Sequence, residues 1–266
     1  MGRFMLSEIN SDIINTIIQG ETIEEMKRIS DGSVDMILAD LPYGTTACKW
    51  DTVIPFEPLW EQYERIIKPN GAIVLTASQP FTSALVMSNP KIFRYQWVWE
   101  KDNHTNFLNI KKQPGKRHED IAVFYKRQPT YNPQMWKGAE NKSQGTKSKG
   151  SHREYLGGEF KPSERIRGGW KYPISIIKFN GEGRGKAVHP TQKPVALFEY
   201  LIRTYTNEGE LVLDNVIGSG TTAVAAINTG RQFIGIEREE EYVNIARERV
   251  KQAYAERSKT EVMSND

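Results

Sequence analysis

The chain has 266 residues, 38% of them hydrophobic, and a formal net charge of +3. That is enough apolar material for one large domain, or one domain carrying an insertion, and no apolar run approaches the ~20 residues that span a bilayer. A single cysteine, Cys48, excludes an internal disulfide framework and a Cys-based structural zinc site. The first residues, MGRFMLSEINSD, lack the apolar stretch of a secretory signal, so a cytoplasmic location is expected.

In chain order, TIIQGE (16–21) reads as a strand, ETIEEMKRIS as a helix, and VDMILADLPYG as a second strand that ends in Asp40-Leu41-Pro42-Tyr43. PLWEQYERIIK (58–68) puts Leu59, Tyr63, Ile66 and Ile67 on one helical face, and Pro69-Asn70-Gly71 stops it. AIVLTAS (72–78) is a continuous apolar run, as a buried parallel strand requires. QPFTSALVMS follows as a helix, then YQWVWEK (95–101) and DIAVFYK (120–126) as strands.

From about 127 to 187 Gly, Lys, Ser, Pro and aromatics mix without period, and this stretch reads as an insertion. Residues 126–186 hold fourteen Lys/Arg against five Glu, a charge of +9, which leaves −6 for the rest. A basic block in an acidic body suits a polyanion such as nucleic acid; a solvated loop region is the plainer alternative. Trp136, Tyr155, Trp170 and Tyr172 in this block are expected to pack a small core.

Order returns at HPTQKPVALFEYLIRTY, where Pro194 suits a first helical position and Val195, Phe198, Leu201, Ile202 and Tyr205 form an apolar stripe. Strand ELVLDN, a Gly-Ser-Gly turn, helix TTAVAAINT, strand QFIGIE and a last helix EEEYVNIARERVKQAYAERS complete the chain, with a loose polar tail over 259–266. Strands alternating with helices imply a mainly parallel sheet covered on both faces. Gly218 and Gly220 let backbone approach a ligand at a helix N-terminus. Glu237, at the end of the next strand and seventeen residues after Gly220, stands where an acid usually holds ribose hydroxyls. No lysine follows Gly220, which argues against a Walker loop and a nucleoside triphosphate. The layout is that of a site for an adenosine-type cofactor; a bare strand-to-helix turn is the alternative.

Taken together, DLPYG, HPTQKP and DNVIGSGTT resemble the amino-group DNA methyltransferases that use S-adenosylmethionine, in the motif order of their β subgroup. The resemblance covers the chain outside 127–187. It implies a Rossmann-like methyltransferase fold, circularly permuted. Residues 1–126 would carry the target-base motif, 127–187 a basic target-recognition region and 188–258 the cofactor motifs. On the same resemblance Asp40, Leu41, Pro42 and Tyr43 form the catalytic loop. Gly20, Glu21 and Asp40 lie near the cofactor; His189, Thr191 and Lys193 cover its methionine part. Asp214, Asn215, Gly218, Gly220, Thr221, Thr222 and Glu237 form the glycine turn and ribose site. Lys137, Lys147, Lys149, Arg153, Arg165, Arg167 and Lys171 would contact DNA. Two departures stand out: Asp214-Asn215-Val216 replaces the usual Asp-Pro-Phe, and Glu21 replaces an Asp.

The exocyclic amine of adenine is a poor nucleophile because its lone pair is delocalised into the ring. Asp40 and the carbonyl of Leu41 or Pro42 would bind both amine hydrogens and turn that lone pair toward a sulfonium methyl, leaving an in-line displacement helped by positioning. Tyr43 offers a face for a base flipped out of double-stranded DNA. Ring-carbon cytosine methylation needs a thiolate after proline, whereas Cys48 follows Ala47. In the family a leading Asp goes mostly with N6-adenine and a leading Ser with N4-cytosine. The remaining alternatives are N4-cytosine, adenine in structured RNA, and a DNA-binding module that has lost catalysis. The four histidines show no metal spacing, so no metal is expected. Family relatives are often dimeric, which makes a homodimer an expectation, with no membrane partner.

Overall fold

The computed structural model describes residues 11–45, 51–138, 169–181 and 192–264, with side chains up to 259. Contacts divide it into a main body, made of residues up to 132 and from 175 onward, and a small unit, Pro133–Ile174.

The body is built on an eight-stranded sheet. Its strands are β1 (Thr16–Gln19), β2 (Val34–Ala39), β3 (Ile67–Ala77), β4 (Phe93–Thr105), β5 (Lys116–Phe124), β8 (Ile176–Lys178), β9 (Leu211–Asp214) and β10 (Gln232–Glu237). They lie in the order β1-β10-β9-β2-β3-β5-β4-β8. All neighbours are parallel except β5, which runs antiparallel to both β3 and β4.

Strand side chains alternate between the faces, and two apolar layers result. Met36, Leu38, Val74 and Val212 pack against α4 (Val195–Tyr205), α5 (Thr221–Asn228) and α6 (Glu240–Ser264). Ile37, Ala39, Ile73, Leu75 and Leu213 pack against α1 (Thr22–Met26), α2 (Phe56–Ile66) and α3 (Phe81–Ser88). Each fully buried Leu, Ile or Phe contributes roughly 1.5–3 kcal/mol. The expected stripes do this: Leu59, Tyr63 and Ile66 of α2 and Phe198, Leu201, Ile202 and Tyr205 of α4 are all buried.

Several boundaries differ from the sequence reading. Ile67 is buried as expected but has extended backbone and opens β3. The Lys68–Gly71 stretch then rides within the strand, where the register with β2 slips between Val34 and Met36. A side chain at Gly71 would strike Ile67 and the Asp35 carbonyl at 2.7–2.8 Å, so glycine permits this irregularity. Pro194 sits one position before α4, as its N-cap. Nothing in KTEVM breaks a helix, and α6 runs on to Ser264 through the stretch expected to be loose. The insertion is narrower than 127–187, because β8 joins the main sheet beside β4 with Ile177 buried.

The small unit pairs β6 (Trp136–Lys137) with β7 (Trp170–Lys171), antiparallel. The core packing expected of its aromatics does not hold: Trp136, Trp170 and Tyr172 are exposed. Strands of two residues present no apolar face to bury them. Tyr155 lies outside the described residues.

Candidate active site

Register places the site. Ile37 of β2 pairs Leu213 of β9, Asp214 pairs Gly235 of β10, and Glu237 pairs Gln19 of β1. The residues that follow these strands, Asp40, Asn215 and Gly20, therefore emerge at one edge, the C-terminal edge where doubly wound sheets bind ligands.

Asp40 receives three donors there. The Tyr43 hydroxyl reaches Oδ1 at 2.7 Å, the Thr76 hydroxyl also donates to Oδ1, and Lys193 Nζ lies 2.6 Å from Oδ2. The Asp40 side chain keeps 24% of its surface exposed, so it is held without being closed off. Lys193 is buried and also stands 3.5 Å from Glu119 Oε2, an atom that has no hydrogen-bond partner. Burial alone would push the Lys193 ammonium down, but Asp40 and Glu119 together hold it above the ordinary lysine value. Burial, with Asp40 and Glu119 nearby, raises the Tyr43 phenol well above 10, so it stays protonated and donates.

The loop itself is anchored below and beyond. Leu41 is a core residue in the α1–α3 layer. Tyr43 stacks on Phe81 with ring centroids 5.1 Å apart, and Pro42 is half-buried. Asp51 closes the turn: its carboxylate accepts Gly44 N–H at 2.8 Å and Thr45 N–H at 2.9 Å.

The glycine turn lies at the end of β9. Gly218 and Gly220 have φ of +52° and +89°. A Cβ on Gly220 would stand 3.0 Å from Ala246 of α6, so that glycine serves close helix packing. A Cβ on Gly218 would meet nothing within 4 Å, which leaves an open approach to the backbone. Glu237 accepts Gly218 N–H and Glu239 N–H, each at 2.9 Å, and so braces the turn it was expected to complement. Asp214 is buried, accepts Val216 N–H at 3.1 Å and bonds the Thr222 hydroxyl; burial raises its carboxyl to about 7.

Asn215, at the family's usual proline, belongs to a buried network. Its Oδ1 accepts the Tyr63 hydroxyl at 2.6 Å and its Nδ2 donates to Thr22 Oγ1 at 2.9 Å. Thr22 in turn donates to the Asn215 carbonyl. Glu21 caps α1, accepting Ile23 N–H at 2.9 Å and Glu24 N–H at 3.1 Å. Gly20 N–H bonds the Glu237 carbonyl at 2.9 Å. Thr221 opens α5.

Lys193, expected against the cofactor, has the two carboxylates as its partners here. Lys137 and Lys171 lie in the small unit, where Lys171 Nζ sits 5.3 Å from the Trp136 ring centroid. His189, Thr191, Lys147, Lys149, Arg153, Arg165, Arg167 and Cys48 lie outside the described residues. Thr76, Glu119, Asp51 and Thr22 escaped the sequence reading, and Tyr63 was read only as part of an apolar helix face. A threonine at the end of an apolar strand run and an acid pair opening another were the available signals. Among the described residues no group of three or more His, Cys, Asp or Glu is placed to hold a metal, and no helix is long and apolar enough to cross a membrane.

A mainly parallel sheet that brings a glycine turn, a strand-end acid and an Asp-x-Pro-Tyr loop to one edge defines an α/β transferase built around an adenosine cofactor. The DNA methylase family model matches residues 34–248, and the chain belongs to that family, the N6/N4 methyltransferases. Two curated relatives are similar. The type II methyltransferase M.HpaI of Haemophilus parainfluenzae is 28% identical over 88% of this chain and 73% of its own length. M2.LlaDCHI of Lactococcus lactis subsp. cremoris is 28% identical, with 88% of each covered. The crystal structure of the M1.HpyAVI–SAM complex aligns with a TM-score of 0.60 at 26% identity, over 88% of this chain and 98% of that one. PvuII DNA methyltransferase, cytosine-N4-specific, shares the fold with a TM-score of 0.63 at 15% identity, over 88% and 85% of the two chains. S-adenosylmethionine is the family's cofactor, and the open glycine turn with its bracing acid fits it.

Proposed function

We propose that the protein is a site-specific methyltransferase acting on the N6 amine of an adenine flipped out of double-stranded DNA. The observation that carries this reading is the placement of Asp40, partly exposed and held by Lys193, Thr76 and Tyr43, at the edge that also bears the glycine turn. The type II methyltransferase relatives support site specificity.

When bound, S-adenosylmethionine supplies an electrophilic sulfonium methyl. Gly218, Gly220 and the α5 N-terminus would hold it, Glu237 would meet its ribose, and Gly20, Asp214, Asn215, Thr221, Thr222, His189 and Thr191 would line its surroundings. Asp40 accepts one amine hydrogen and the Leu41 or Pro42 carbonyl the other, which turns the nitrogen lone pair toward the methyl. Asp40 need not be a strong base, since the proton leaves readily once the nitrogen is alkylated. Lys193 and Thr76 hold the carboxylate in place, so catalysis comes from positioning. Tyr43 offers ring surface to the base, and the basic residues of the insertion would neutralise phosphates.

Transfer of a labelled methyl group to DNA, with modified-base sequencing of DNA from expressing cells, identifies amine and site together. Asp40→Ala is expected to abolish transfer and retain cofactor binding; transfer at the parental rate would overturn the mechanism. The family spans both amines, so N4-methylcytosine in the sequencing would replace adenine by cytosine.

A further inference from the structure

The hairpin joining β4 to β5 carries adjacent exposed apolar side chains at its tip, with Ile110 close by. Phe107 is 68% and Leu108 85% exposed. Charge surrounds them: residues 103–117, NHTNFLNIKKQPGKR, hold Lys111, Lys112, Lys116 and Arg117 and no acid. The tip is also ordered. Asn106 takes the left-handed conformation (φ 58°), and its Oδ1 accepts Lys116 N–H at 2.8 Å. Asn109 O accepts Lys112 N–H at 2.8 Å and Gln113 N–H at 3.0 Å. A Cβ at Gly115 would strike Ile110 at 2.9 Å and His104 at 3.0 Å, so the loop closes tightly over that glycine.

Register fixes where it points. Ala77 at the end of β3 pairs Asp120, which pairs Val98; β4 continues past that level to Thr105, opposite Lys116. The hairpin therefore projects from the same edge as Asp40, by up to roughly 20 Å at about 3.3 Å per residue. At its base Glu119 meets Lys193, which meets Asp40.

We infer that Phe107 and Leu108 form an apolar wedge that enters the DNA duplex beside the target base, with Lys111 and Lys112 on the flanking phosphates. An apolar tip among cations has no use for bulk water, whereas a duplex offers both base stacks and phosphates, and inserted Phe or Leu side chains unstack base steps. The wedge helps expel the base that Asp40 receives, so this inference rests on the base-flipping reading above.

The test compares two duplexes carrying the enzyme's own site, as mapped by modified-base sequencing. In one the target base is paired; in the other it lies opposite an abasic position and needs little force to leave the helix. Flipping a paired base costs a few kcal/mol, so Phe107→Ser/Leu108→Ser is expected to lose about tenfold or more in kcat/KM on the paired duplex. On the abasic-opposed duplex it should stay within about threefold of the parent. Lys111→Ala/Lys112→Ala is expected to lower the slope of log affinity against log salt by about 2. An unchanged rate on paired DNA, or an equal loss on both duplexes with cofactor binding intact, would overturn the wedge, as would an unchanged salt slope. Conversion of a dimer to a monomer by the serine variant would assign the tip to a second copy of this chain. If sequencing finds no methylated site, the proposed function itself fails and the wedge falls with it.

Discussion

Replacing Lys193 by Met removes the ammonium that lies 2.6 Å from Asp40 and 3.5 Å from Glu119. Glu119 is 14% exposed and keeps its ion pair with Lys101, so it is chiefly Asp40, 24% exposed, that loses its cation with little water to replace it. Breaking a buried pair by removing one partner costs roughly 3–5 kcal/mol; the partial exposure of Asp40 places the expectation at the lower end. Urea unfolding at pH 8 should therefore show a loss of about 3 kcal/mol. Methyl transfer should fall more than cofactor affinity, because the ammonium touches Asp40 and not the glycine turn. A Lys193→Met chain as stable as the parent at pH 8 would refute this account of the ion cluster.

The two glycines should separate by assay. Gly220→Ala forces a side chain at φ +89° against Ala246 and should lose stability by about 2 kcal/mol or more. Gly218→Ala bears the left-handed strain at φ +52° of about 1 kcal/mol but meets open space, so it should cost less stability than Gly220→Ala and weaken S-adenosylmethionine binding more in calorimetry; the reverse ranking would contradict the turn's description. Asp214 keeps its proton up to about 7 in the folded chain, against ~3.9 when exposed, so its contribution to stability is intact below about 4 and is lost as pH rises through about 7. Asp214→Asn should accordingly gain stability relative to the parent between those pH values, and parallel unfolding curves would count against the buried acid. Tyr63→Phe leaves Asn215 Oδ1 without its donor and should cost about 1–3 kcal/mol. Introducing the family's proline with Asn215→Pro should destabilise as well, since Tyr63 loses its acceptor and Thr22 the Nδ2 donor; a more stable chain would argue that the network is dispensable.

The sequence revealed what depends on neighbours along the chain. Continuous apolar runs such as AIVLTAS mark buried parallel strands, and Gly218 with Gly220 mark a turn whose φ values only glycine adopts freely. The Asp-Leu-Pro-Tyr loop was legible for the same reason, since Asp40 to Tyr43 are consecutive. Its supports were not. Thr76 is 36 positions from Asp40 and Lys193 is 153 positions away, and only sheet register and the return of α4 bring them together. Ile176–Lys178 is too short to show a period, so β8 vanished into the basic insertion. Glu21 and Glu237 were read for ligand contacts, yet their oxygens serve backbone amides, a use that residue type alone does not disclose.

A single strand running against its neighbours has an organisational effect. Because β5 is reversed, its beginning stands at the reacting edge, and the same ribbon that anchors the carboxylate–ammonium cluster extends outward as the hairpin arm. A relative could exchange the arm's ten or so outermost residues, from about 106 to 115, and meet a different stretch of helix while the chemistry at its root stays untouched. The fold thereby places a protruding hairpin and the ion cluster at its root on one piece of backbone.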